Sequence, residues 1–121
     1  MIALDHIGIA ARDAPSAAQF LSEVLGLAAP EPDGPDGDMY RVTIGNIFLL
    51  FSTSAIVPTQ HIAFHVDEVT LNEVVQRLRR KSVPFGNDPE APTNGLTSDP
   101  LGGLGRVYFV DPNGHLFEVA A

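Results

Sequence analysis

The feature that most constrains this chain is an internal echo. Asp5-His6-Ile7-Gly8-Ile9 falls on Gln60-His61-Ile62-Ala63-Phe64, and Gly45-Asn46-Ile47-Phe48-Leu49 falls on Gly114-His115-Leu116-Phe117-Glu118. A unit of this length occurring only twice reads as a duplicated module rather than a repeat array. The expected boundary puts module one at about 1–58 and module two at about 59–121 of a single domain.

Each half reads in the same order. Leu4–Ala10 is short and apolar, as a strand is. Asp13-Ala14-Pro15 offers a helix cap with proline in the first turn, and Ala17, Phe20, Leu21, Val24 and Leu25 recur at helical spacing up to Gly26. Ala29–Asp38 is rich in Pro, Gly and Asp and reads as a flexible acidic loop. Tyr40–Ile44 and Ile47–Ser52 form a hairpin around Gly45-Asn46. In the second half His61–Val66 is strand-like, and Asp67 caps a helix with Leu71, Val74, Val75 and Leu78 on its apolar face. Short strands are expected at Val83–Gly86 and around Gly95–Asp99. A second hairpin joins Arg106–Val110 to His115–Val119 through Asp111-Pro112-Asn113-Gly114. The fold expected is α+β: two βαβββ modules in a pseudo-twofold arrangement forming a cup-shaped mixed sheet.

Composition removes several classes of function. The net charge is −8, and four of the seven basic residues (Arg77, Arg79, Arg80, Lys81) sit in the last turn of the second helix, where they suit the negative end of its dipole. A nucleic acid partner needs a broad basic surface and is not expected. With no cysteine, disulfides and thiolate metal sites are excluded. No apolar run approaches the ~20 residues of a membrane span, and no signal peptide is evident, so a cytoplasmic protein is expected.

The matched histidines carry the chemistry. Side chains alternate along a strand, so His6 and His61 are expected to face one cleft, with Glu118 as the carboxylate on the last strand of the second module and Leu49 at the matching place in the first. Two imidazoles and one carboxylate suit Fe, Mn, Zn, Ni or a similar divalent ion with open coordination positions. By the same alternation Arg106 and Tyr108 share a face, Arg106 to hold a substrate anion and Tyr108 to donate a hydrogen bond. His65 shares a face with His61 and is a candidate base. His115 is out of phase with Glu118 and reads as structural, while Ile47, Leu49 and Phe51 are expected to form an apolar wall of the cleft.

Three stretches carry a resemblance: Leu4–Ile9, His61–Asp67, and Val107-Tyr108-Phe109-Val110-Asp111-Pro112-Asn113-Gly114-His115-Leu116-Phe117-Glu118. Together they resemble the vicinal oxygen chelate superfamily, which includes glyoxalase I, methylmalonyl-CoA epimerase, fosfomycin resistance transferases, extradiol dioxygenases and bleomycin resistance proteins. The resemblance implies eight strands around a divalent metal. Four-ligand members such as glyoxalase I need a ligand where Leu49 is expected. Three-ligand members match His6, His61 and Glu118. The extradiol pattern places a tyrosine ten residues before the glutamate, as Tyr108 is, but also a histidine upstream, where this chain has Asp99, Pro100 and Leu101. The resemblance implies a metalloenzyme that chelates two neighbouring oxygens of a small substrate and works as a homodimer. The alternative is a metal-free relative that sequesters a small toxic molecule.

Overall fold

A computed structural model describes residues 1–121, which form two compact units, Met1–Pro58 and Thr59–Ala121. The first unit runs β1 (His6–Ala11), α1 (Ala14–Leu25), β2 (Glu31–Asp33), β3 (Met39–Ile44) and β4 (Ile47–Thr53). Asp13 caps α1 by accepting from the Ser16 backbone N–H, and Gly26 closes it at φ 69°, a left-handed conformation that glycine adopts without a Cβ penalty. The strands lie in the order β1-β4-β3-β2, with β1 parallel to β4 and the others antiparallel.

One expectation for this unit changes. The acidic stretch 29–38 is not wholly loop. Glu31–Asp33 pairs with Met39–Arg41, and the Arg41 guanidinium clasps the Asp33 carboxylate at 2.8 Å.

The second unit runs β5 (His61–His65), α2 (Glu68–Arg80), β6 (Arg106–Val110) and β7 (Leu116–Ala120), with strand order β5-β7-β6. Asp67 caps α2 on the Thr70 N–H, and Leu71, Val74, Val75 and Leu78 are its buried stripe. The long segment between α2 and β6 holds no strand, so the total is seven rather than eight. The strand expected at Val83–Gly86 shrinks to one bridge, in which Gly86 exchanges both backbone hydrogen bonds with Tyr108. Pro84 cannot donate to a ladder, and Gly86 is pressed against Ala91 and Asn94, where the chain has already turned away. Around Gly95–Asp99 the Thr97 carbonyl accepts from Arg106 N–H, but no strand forms there.

Register fixes which side chains share a face, because directly paired residues point the same way and neighbours alternate. In the second sheet His61, Ala63 and His65 share a face with Leu116, Glu118, Ala120, Arg106, Tyr108 and Val110. The opposite face presents Val107, Phe109, Phe117 and Val119, all fully buried, with Phe109 and Phe117 rings 5.5 Å apart. In the first sheet His6, Gly8, Phe48, Leu50 and Arg41 share one face. Ile9, Val42, Leu49 and Phe51 lie on the other and are buried.

That register corrects the alignment of the two hairpins. His6 pairs with Phe48 and His61 with Leu116, so Glu118 corresponds to Leu50, not Leu49. The expected wall of Ile47, Leu49 and Phe51 points away from the His6 face; Leu49, at 1% exposure, is core.

Candidate metal and substrate site

The site face of the second unit is built around Glu118. This residue sits mid-strand in β7, directly opposite Tyr108 on β6 and beside Ala63 on β5. Its carboxylate is buried to 8% exposure, which would be costly for a lone charge. The neighbours remove that cost. Oε1 lies 2.8 Å from His61 Nε2, and Oε2 accepts from the Arg106 guanidinium. Arg106 is in turn held by Asp99, with Nε donating to Oδ1 at 2.9 Å and a longer contact from the second terminal nitrogen to Oδ2. The Arg106 pKa is raised, first by the hydrogen bond to Asp99, while that same bond holds the Asp99 carboxyl below its ordinary range. The guanidinium expected to meet a substrate anion thus already faces two carboxylates of its own chain.

Tyr108 completes the face. Its ring centroid lies 6.1 Å from that of His61. Burial first, and then the charge of Glu118, push its phenol up from the ordinary value, so it remains a hydrogen-bond donor at neutral pH. Tyr108 and Arg106 line a pocket of about 330 Å³ with Asn87, Asp88, Pro89, Pro100 and Leu101. That volume suits a small organic molecule. His65 shares the face but is exposed and lies four residues along β5 from His61, about 13 Å by strand rise.

His6, in the first unit, is fixed differently. Its ring stacks on Phe48 at 4.9 Å and 7°, and its Nδ1 lies 2.7 Å from Asp5 Oδ2. A carboxylate on Nδ1 favours the tautomer that leaves Nε2 free as an acceptor, the usual arrangement behind a ligating histidine. Arg41 lies over Phe48, 4.3 Å from the ring centroid. His115 is wholly buried, and its Nδ1 accepts from the Gln60 N–H, which ties the 111–115 turn to the entry of β5. This is the structural role expected of it.

The donor set can be tested for fit to a divalent ion. Atoms that share one ion at 2.0–2.2 Å stand about 3 Å apart, and His61 Nε2 and Glu118 Oε1 are 2.8 Å apart. An imidazole nitrogen and a carboxylate oxygen are ordinary ligands for Fe, Mn, Zn or Ni. The second unit therefore supplies two of the three expected ligands at near-ligating separation, although no three His, Asp or Glu side chains gather into a metal-binding cluster. Asp99 is the residue that sequence reasoning missed. Its signal lies in Asp99-Pro100-Leu101-Gly102-Gly103, an acidic residue opening a proline and glycine turn just before Arg106.

The family model described as the Glyoxalase/Bleomycin resistance protein/Dioxygenase superfamily matches residues 3–119. The chain belongs to this superfamily. Among solved structures of the superfamily's fold, Oxidase ChaP-H1 is 32% identical at a TM-score of 0.89, with 98% of this chain and 94% of that chain covered. Oxidase ChaP-H2 is 30% identical at 0.86, covering 98% and 91%. The fosfomycin resistance protein FosX from Listeria monocytogenes shares the fold at 18% identity and a TM-score of 0.72, covering 100% and 93%. No curated protein matches the chain significantly. No helix is long and apolar enough to cross a membrane.

Proposed function

We propose that the protein is a divalent-metal-dependent enzyme of oxidase type, acting on a small molecule that offers two neighbouring oxygens. The reading is carried by the convergence of His61 Nε2 and Glu118 Oε1 on the face where Tyr108 and Arg106 border a pocket. The full-length likeness to two oxidases at 30% identity or more favours oxidase chemistry over lyase, isomerase or transferase chemistry. His6, His61 and Glu118 are the proposed ligands, and the ion supplies Lewis acidity and open positions for substrate oxygens when bound.

The chain's own groups divide the remaining work. Tyr108, kept protonated, donates a hydrogen bond to a substrate oxygen. Arg106 orients Glu118 and offsets its charge. Pro89, Pro100 and Leu101 give the pocket an apolar wall for the carbon skeleton of the substrate. His65, exposed and about 13 Å along β5 from His61, is out of reach of the site for the acid–base role expected of it. A catechol, a 2-hydroxy acid or a 2-oxo acid presents the required oxygen pair. β1 and β5 are edge strands, and covering such edges is the proposed motive for a homodimer.

Oxygen consumption tests the reading. Protein loaded with Fe(II) or Mn(II) is given a panel of catechols and 2-hydroxy and 2-oxo acids. Metal-dependent oxygen uptake that disappears in His61→Ala is expected. Tight binding of such compounds by metal-free protein, with no oxygen uptake in any loaded form, would instead establish a sequestering protein.

A further inference from the structure

The geometry points to Asp99 as a positioning residue that, acting through Arg106, fixes the orientation of the proposed ligand Glu118 and ties it to the turn that lines the substrate pocket. This deepens the proposed metal site and rests on that reading. Three observations carry it. The first is occupancy of the carboxylate: Arg106 donates to Glu118 Oε2, and His61 lies on Oε1. Together the guanidinium and the imidazole fix the plane of the Glu118 carboxylate.

The second observation is the hold on Arg106. The Asp99 side chain is 3% exposed and engages Nε at 2.9 Å, which fixes the plane of the guanidinium and hence the direction of the remaining donor. The third is what else Asp99 touches. Its Oδ1 accepts from the Leu101 N–H at 2.9 Å and its Oδ2 from the Gly103 N–H at 3.0 Å. Gly103 packs so closely on Oδ2 that a Cβ there would clash with it. Pro100 and Leu101, inside this turn, line the pocket. One carboxylate therefore orders the pocket loop and aims the arginine that aims Glu118.

The test compares the parent with Asp99→Asn in two ways. Without metal, the side-chain carboxyl carbon of Glu118 is followed by ¹³C NMR; it is expected to shift in Asp99→Asn as Arg106 loosens. With Co(II), titrated by visible absorbance, the variant is expected to bind 10-fold to 100-fold more weakly, the usual range for a group behind a ligand. Its spectrum should also change as Glu118 loses its fixed orientation. An unchanged Glu118 resonance overturns the inference, as do unchanged Co(II) affinity and spectrum. If the parent takes up no Co(II), the metal reading fails by itself, and the Glu118 resonance still decides whether Asp99 acts through Arg106. Should Asp99→Asn not fold, the parent alone decides: slow exchange of the Arg106 Nε proton supports the clamp, and rapid exchange overturns it.

Discussion

The two units begin their first strands with matched histidines, yet hold them by opposite means. His6 is pinned from behind, by Asp5 on Nδ1 and by the flat stack on Phe48. His61 is met from the front, by Glu118 on Nε2. The position that register equates with Glu118 is Leu50 in the first unit, an apolar residue on the His6 face. The sheets differ too. The first has four strands, and the second has three with a single bridge where a fourth would lie. The segment freed from pairing in the second unit supplies Asn87, Asp88, Pro89, Asp99, Pro100 and Leu101 around Arg106 and Tyr108. The duplication thus gives two similar platforms, and the second exchanges a strand for a pocket loop and a leucine for a carboxylate.

Making the halves alike in the wrong register should produce the largest effect. Leu49→Glu puts an unpaired charge at a core position and should cost about 3–5 kcal/mol or prevent folding. Leu50→Glu, on the half-buried His6 face, should cost about 1 kcal/mol or less. Urea unfolding of the two variants side by side reads the difference. Equal losses would mean that the register is wrong.

Making the halves alike in the other direction comes next. Glu118→Leu gives the second unit the residue of the first and leaves Arg106 facing Asp99 alone. Metal affinity should fall by more than about 100-fold, beyond the range typical of groups that only support a ligand. Isothermal titration with Mn(II) measures it.

Tyr108→Phe removes a phenol donor where register puts Arg41 in the first unit and should lower kcat/KM by roughly 10-fold, the worth of about one hydrogen bond. In the parent, absorbance at 295 nm should show this phenol ionising above its ordinary value, because burial and then the Glu118 charge oppose the phenolate. A folded-state value raised in this way leaves stability intact below the unfolded value and erodes it as pH climbs through the folded one. A normal titration would place Tyr108 in solvent rather than in the site.

The smallest effect concerns the helix caps, which the two units share. The Asp67 carboxyl sits below its ordinary range because Thr70 hydrogen-bonds to it. Its contribution is present above the unfolded carboxyl value and is lost as pH falls through the lower folded one. Asp67→Ala should therefore lower the melting temperature slightly at neutral pH and not at all in strong acid. An equal drop at both ends would assign the effect to packing.

Much of the fold is legible in the amino-acid sequence, for identifiable reasons. Helix caps at Asp13 and Asp67 and the stop at Gly26 are local chemistry, and the apolar spacing of both helices is periodic. Alternation suffices to place Arg106 and Tyr108 on one face and to set His115 apart. The Leu49 alignment fails because it is anchored on Gly45 and Gly114. Two residues join β3 to β4 but five join β6 to β7, so counting from the glycine slips one residue and reverses the face. The eighth strand fails because a bridge at Gly86 has no periodicity to show. Asp99 escapes notice because its partners come from tertiary packing, which joins a loop to a strand seven residues on.

Binding of one divalent ion by Glu118 and the two matched histidines is the proposal behind these comparisons. It is tested most directly by counting metal in protein loaded with Mn(II) and freed of excess ion, for the parent, His61→Ala and His6→Ala. About one ion per chain is expected in the parent and nearly none in either variant, with all three folded by circular dichroism. A parent that retains no ion, or variants that retain as much as the parent, would contradict it.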